Sequence, residues 1–221
     1  MKKIILSFWF ISTLSYAQTE KEVGSFNKVT AFDHIDVNLV ASNQNKVVLN
    51  GNNSEKVELI NKNGELKIRM QMLKLMQGDN VSATVYYTNL ESVEANEGSR
   101  ISGADAIKTV NFTIIAKEGA EIKLELNVSR VALKISSGAT VSLSGNATNQ
   151  EAVVAAGAVY EAQNLKSIQA EVTVNAGGEA TIFATQFVDA KVRAGGNVEI
   201  FGNPKKVNQK TVLGGNIKII K

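Results

Sequence analysis

Side chains able to do chemistry are few in this chain. It has one histidine, His34, no cysteine, and five aspartates, at positions 33, 36, 79, 105 and 189. Without cysteine there is no thiol nucleophile, no thiolate metal site and no disulfide. A single imidazole excludes a multi-histidine metal centre and leaves any Ser-His-Asp triad dependent on one residue. Asp33, His34 and Asp36 form the densest cluster. In an extended strand Asp33 and Ile35 face one way while His34 and Asp36 face the other, so only the last two can cooperate. One imidazole and one carboxylate make a thin acid–base or metal site, and the cluster reads as a solvated strand edge.

Polysaccharide cleavage would need two carboxyl groups about 5–10 Å apart. The candidates are Glu97, Glu118 and Glu121, with Arg100 expected to pair with Glu121. No G-x-S-x-G elbow is present, no phosphate-binding glycine loop, and no Asp-rich nine-residue calcium repeat. Neither a cofactor nor a metal is expected.

The elements that must position these residues follow from a repeat. From residue 97 onward one pattern recurs: EGSRI, EGAEI, SGATV, AGAVY, AGGEA, AGGNV and LGGNI. Its leading glycines are Gly98, Gly119, Gly138, Gly157, Gly177, Gly195 and Gly214, spaced by 21, 19, 19, 20, 18 and 19 residues. After each glycine, position +1 is small, and positions +3 and +5 are mostly apolar. Such period-two alternation predicts half-buried strands facing inward at odd offsets. No aspartate recurs in a repeat column.

A unit of nineteen residues cannot bury its apolar face alone, but stacked on its neighbours it builds a continuous core. At ~3.3 Å per residue it traces at most roughly 60 Å, one coil of a β-helix. A propeller blade needs ~40–50 residues. A β-sandwich of regular hairpins is the rival, but it does not require one small-residue column seven times over. The expected fold is therefore all-β: a single-stranded right-handed parallel β-helix with coils of about nineteen residues, the glycines stacking inward at a bend. Residues 91–221 carry the regular coils. Residues 26–90 are strand-rich without the glycine register and read as irregular first coils and a cap. Met70, Met72 and Met76 read there as core or cap filler.

The N-terminus reads as an export signal. Lys2 and Lys3 precede an apolar run from Ile4 to Tyr16, and Ser15 and Ala17 stand at −3 and −1 of a cleavage site after Ala17. That makes 1–17 a signal peptide and 18–25 an N-terminal extension. The run is shorter than the ~20 residues a membrane helix needs, so no integral segment is expected after cleavage. The chain carries +3, and removal of Lys2 and Lys3 leaves 22 basic against 21 acidic residues, a charge of +1. So neutral a chain lacks the basic face that nucleic acid demands.

Aromatic platforms for sugars are scarce. The only tryptophan, Trp9, lies in the leader; Tyr86 and Tyr87 are adjacent, so one of them must point outward as a candidate ligand contact. After Glu199 the chain holds Lys205, Lys206, Lys210, Lys218 and Lys221 and no acid. Lysines on a terminal coil oppose edge-to-edge growth, a role preferred here over docking to an anionic surface.

FDHIDVNLV at 32–40, GELKI at 64–68, the YYTNL run at 86–90, the glycine repeats and FGNP at 201–204 followed by LGGNI together resemble the head GIN domain family, the putative autotransporter adhesins. The resemblance spans roughly 26–221. It implies a right-handed β-helix in a periplasmic, outer-membrane or extracellular setting, with no catalytic residues to carry over. The reading that follows is a non-enzymatic binding or adhesion protein of the cell envelope, monomeric or weakly oligomeric, with an envelope glycan or surface protein as partner. A carbohydrate-active β-helix using outward glutamates, and a self-associating structural protein, are the alternatives.

Overall fold

The computed structural model describes residues 19–221; the leader expected over 1–17 lies outside them. Among the described residues, eighteen strands join in one sheet that winds into a β-solenoid of about seven turns. The regular part begins with β8 (Ser92–Ala95), β9 (Arg100–Gly103) and β10 (Ile107–Ala116). It continues through three long strands that cross two faces each: β11 (Glu121–Ile135), β12 (Thr140–Ala155) and β13 (Val159–Asn175). The last coils are broken into β14 (Glu179–Phe183), β15 (Phe187–Arg193), β16 (Asn197–Phe201), β17 (Lys206–Val212) and β18 (Asn216–Ile219).

Every pairing in this part is parallel and follows the glycine spacing. Glu121 lies opposite Thr140, and Thr140 opposite Val159. Inward positions are apolar and buried, as in Ile122, Leu124 and Leu126. At the corners the alternation slips, leaving two successive residues exposed: Ser129 with Arg130, Thr148 with Asn149, Ile168 with Gln169.

The departures from nineteen have local causes. The pairing of β12 with β13 shifts between Ser142, opposite Glu161, and Ser144, opposite Asn164. The extra residue of this bulge makes that coil one longer. The next coil then takes a short cut between Phe183 and Phe187, leaving the Phe183 carbonyl turned inward. Gln150 Nε2 donates to that oxygen at 2.9 Å and Ser167 Oγ also donates to it, while Tyr160 Oη donates to Gln150 Oε1 at 3.0 Å. Gln150 and Ser167 therefore satisfy the group that the short cut strands, and Tyr160 satisfies the Gln150 amide oxygen in turn.

The N-terminal region inverts chain order. Strands β2 (Lys28–Ala31) and β3 (Asp36–Ala41) form a rung that pairs in parallel with β8 and β9 on one side. On the other side it pairs in parallel with two later strands, β6 (Glu65–Met70) and β7 (Val81–Tyr87). The outermost rung is thus built by residues that follow the second one in sequence. Antiparallel strands close its edge: β5 (Val57–Lys62) on β6, β4 (Lys46–Gly51) on β7, and β1 (Thr19–Glu22) outside β4. Covering a solenoid's end with antiparallel strands removes the open edge of its outermost rung. At the opposite end, β17 and β18 pair on one side only among the described residues.

Candidate binding faces

The repeat motif is a tight turn with two successive left-handed residues. Glu118 and Gly119 have φ of 57° and 71°, and the Ala120 N–H donates back to the Lys117 carbonyl at 3.1 Å. Positive φ at both central residues is the requirement of a type I′ turn, and glycine meets it without strain. A Cβ built on Gly119, Gly138, Gly157, Gly177, Gly195 or Gly214 meets nothing within 4 Å. These glycines therefore face open space, contrary to the expected inward stack: they are chosen for backbone angle. Crowding occurs one residue later, where Ala120, Ala139 and Ala158 are buried and a Cβ on Gly196 would lie 2.6 Å from the Gly178 carbonyl oxygen.

Among the described residues, the same turn occurs once without glycine. Asp33 and His34 have φ of 60° and 63°, and the Ile35 N–H donates to the Phe32 carbonyl. His34 occupies the glycine slot, and its N–H donates to the Glu97 carbonyl at 3.0 Å, continuing the ladder of stacked turns. The strand-edge reading of this cluster is thereby corrected. Asp33 is buried, its carboxylate accepting from the N–H groups of Met70 and Met76, each at 2.9 Å. His34 Nδ1 lies 2.9 Å from Asp79 Oδ1. The signal for this eighth copy was the spacing of Val29 and Val37, eight residues apart like Ile114 and Ile122.

The carboxylates divide between two places. Glu97 and Glu118 sit on the turn ridge in successive coils; burial, then Asp33 and Glu118, push the Glu97 carboxyl above its ordinary range. Glu121 lies instead on the outward face beyond the turn. Arg100 is opposite Glu121 in register, as expected, but its guanidinium bonds to Asp36 on the other neighbouring rung. Among the described residues, no group of three His, Asp or Glu side chains is arranged to hold a metal.

The outward face after the turn is hydrophilic over many coils. One depression of about 420 Å³ is lined by Asp36, Asn38, Thr84, Arg100, Ser102 and Glu121, among others. It runs into a second, of about 590 Å³, which shares Ser102, Glu121 and Lys123 and reaches Ser142, Glu161 and Asn164. Within it Ser142 Oγ donates to Glu161 Oε2 at 2.7 Å. Tyr86 and Tyr87 stand beyond Thr84 on β7. Tyr87 points into the core, whereas Tyr86 is outward and half-buried, with Lys46 Nζ 4.9 Å from its ring centre. Lys205, Lys206, Lys210, Lys218 and Lys221 are exposed on the last coil.

The methionines separate as well. Met70 is in the core, but Met72 is 82% exposed and Met76 49%, so filler describes the first alone.

No curated protein matches the chain. Among solved structures, a putative adhesin from Bacteroides fragilis superposes with a TM-score of 0.86 at 20% identity, covering 94% of this chain and 98% of its own. A putative adhesin from Parabacteroides distasonis gives 0.76 at 17% identity, over 92% and 96% of the two chains. A protein described as a putative lipid binding protein from the same species gives 0.74 at 15% identity, over 93% and 96%. At these identities the likeness concerns the fold. The family model described as "Putative auto-transporter adhesin, head GIN domain" matches residues 25–204, and the chain belongs to that family.

Proposed function

We propose that this protein is exported to the cell envelope and acts there as a non-enzymatic binding protein, holding an extended polar ligand such as an envelope glycan along its hydrophilic face. The observation that carries the reading is the continuity of the two depressions from Asp36 to Asn164, in which hydroxyl, amide, carboxylate and ammonium groups recur with the coil spacing. Parallel rungs ~4.8 Å apart offer a ladder of donors and acceptors to a repeating polymer. Membership of a family described as adhesins supports binding, and the leader over Met1–Ala17 supports export. Among the described residues no helix is long and apolar enough to cross a membrane.

The test is a screen of envelope polysaccharides and surface components against the full chain, with Ser102→Trp, Ser142→Trp and Tyr86→Ala alongside. Blocking the face at Ser102 or Ser142 is expected to weaken binding by at least about tenfold, the equivalent of one or two lost polar contacts. Failure of the wild type to bind any component, or unchanged binding by both tryptophan variants, overturns the reading. Mass spectrometry of the exported product should find an N-terminus at Gln18.

A further inference from the structure

Where the other rungs turn tightly, the outermost rung carries a longer segment, residues 71–80, between β6 and β7. It contains a 3-10 turn at Met72–Lys74, with the Lys74 N–H donating to the Gln71 carbonyl at 2.7 Å. Four large apolar side chains stand out from it: Met72 is 82% exposed, Leu73 91%, Leu75 49% and Met76 49%. Singly exposed apolar residues are ordinary, but four within five positions are not.

The segment is anchored. Both Asp33 carboxylate oxygens hold its base, through the N–H groups of Met70 and Met76. The Gln71 N–H donates to the Lys56 carbonyl, and the Gly78 N–H to the Asp33 carbonyl. Gly78 is pressed so close that a Cβ there would lie 2.2 Å from that oxygen. A buried carboxylate and a tight glycine thus fix the base, while the apolar tip projects outward.

We propose that this loop is a membrane-contact element that inserts its Met-Leu tip into the interface of an anionic lipid bilayer. Two features choose a bilayer over a protein partner. The apolar group projects from its anchored base, and a bilayer accepts such a tip without a matching pocket. Lys74 lies between Met72-Leu73 and Leu75-Met76 and has no acidic partner among the described residues. The one acid of the segment, Asp79, lies 2.9 Å from His34 Nδ1, and no other occurs from Leu66 through Asn80. A lysine flanked by apolar residues can bury its stem and keep its ammonium at the phosphate level. The element is separate from the hydrophilic face, so its failure would leave the polysaccharide reading standing, and the reverse.

The chain has no cysteine, so Leu75→Cys can carry a single polarity-sensitive nitrobenzoxadiazole label, with Asn111→Cys as the control. Vesicles of phosphatidylglycerol and phosphatidylethanolamine are expected to shift the emission at 75 to the blue and leave that at 111 unchanged. Adding Leu73→Asp should weaken vesicle affinity by about tenfold or more, and Lys74→Glu should weaken it on these vesicles but not on phosphatidylcholine. Unchanged emission at position 75 overturns the proposal, as does an equal shift at 111. A shift that grows with protein concentration in the absence of lipid also overturns it, because the tip would then be meeting a second copy. Unaltered thermal unfolding of the labelled and charged variants keeps loss of folding out of the comparison.

Discussion

The carboxylate of Asp33 accepts a hydrogen bond from the backbone N–H of Met76 at 2.9 Å, tying a turn in one rung to a loop in the rung beside it. With its second bond, to the Met70 N–H, the same side chain closes the base of the loop that carries Met72 and Leu73.

Asp33→Ala is therefore expected to destabilise the protein by about 2–4 kcal/mol, since two donors at the loop base lose their acceptor. Chemical denaturation measures this, and a loss below about 0.5 kcal/mol would deny the clamp its role. Asp33→Asn removes the charge that, after burial, does most to raise the Glu97 carboxyl. In that variant the Glu97 resonance should titrate at lower pH. In the wild type the raised Glu97 contributes stability that is full below the ordinary glutamate range and is lost as pH rises through its folded value.

Glu94 behaves in the opposite sense. Burial works against its charge, but hydrogen bonds from Lys28 and Lys117, at 2.7 and 3.1 Å, outweigh this and hold its carboxyl below the ordinary range. Its contribution is present above the unfolded value of 4.5 and is lost as pH falls through the folded one. Denaturation midpoints should fall between pH 5 and pH 3, and Glu94→Gln should flatten that fall. An equally steep decline in the variant would assign the acid sensitivity elsewhere.

Two glycine substitutions should differ in size. At Gly138 the backbone is left-handed, with φ of 72°, but nothing lies within 4 Å of an added Cβ, so Gly138→Ala should cost about 1–2 kcal/mol. At Gly196 the angle is 115° and the Cβ would lie 2.6 Å from a backbone oxygen. Gly196→Ala should cost about 3 kcal/mol or more, because a rigid coil must shift. Equal melting temperatures would show that the close contact at Gly196 adds no cost.

At the last coil, β17 and β18 present an edge without a partner strand among the described residues. Replacing Lys206, Lys210 and Lys218 together with threonine should make light scattering rise with concentration, since three charges opposing edge pairing are gone. Scattering equal to that of the wild type at every concentration would remove edge protection as the role of these lysines.

The glycine spacing makes the coils legible from residue order, because each coil pairs with its immediate successor at an offset equal to that spacing. The alternation around each turn likewise shows which residues enter the core, and its eight-residue span extends to Val29 and Val37. Only the tertiary structure decides the N-terminal end. The rung of β6 and β7 pairs with strands far earlier in the chain, at an offset that no repeat encodes. That closure buries Asp33, which in isolation looks like one polar residue of a strand edge. The rung of β2 and β3, which the closure covers, flanks Arg100 from the other side and takes its guanidinium to Asp36 rather than Glu121. The closure also separates Met70 from Met72: the sheet ends between them, and the chain beyond has left the core.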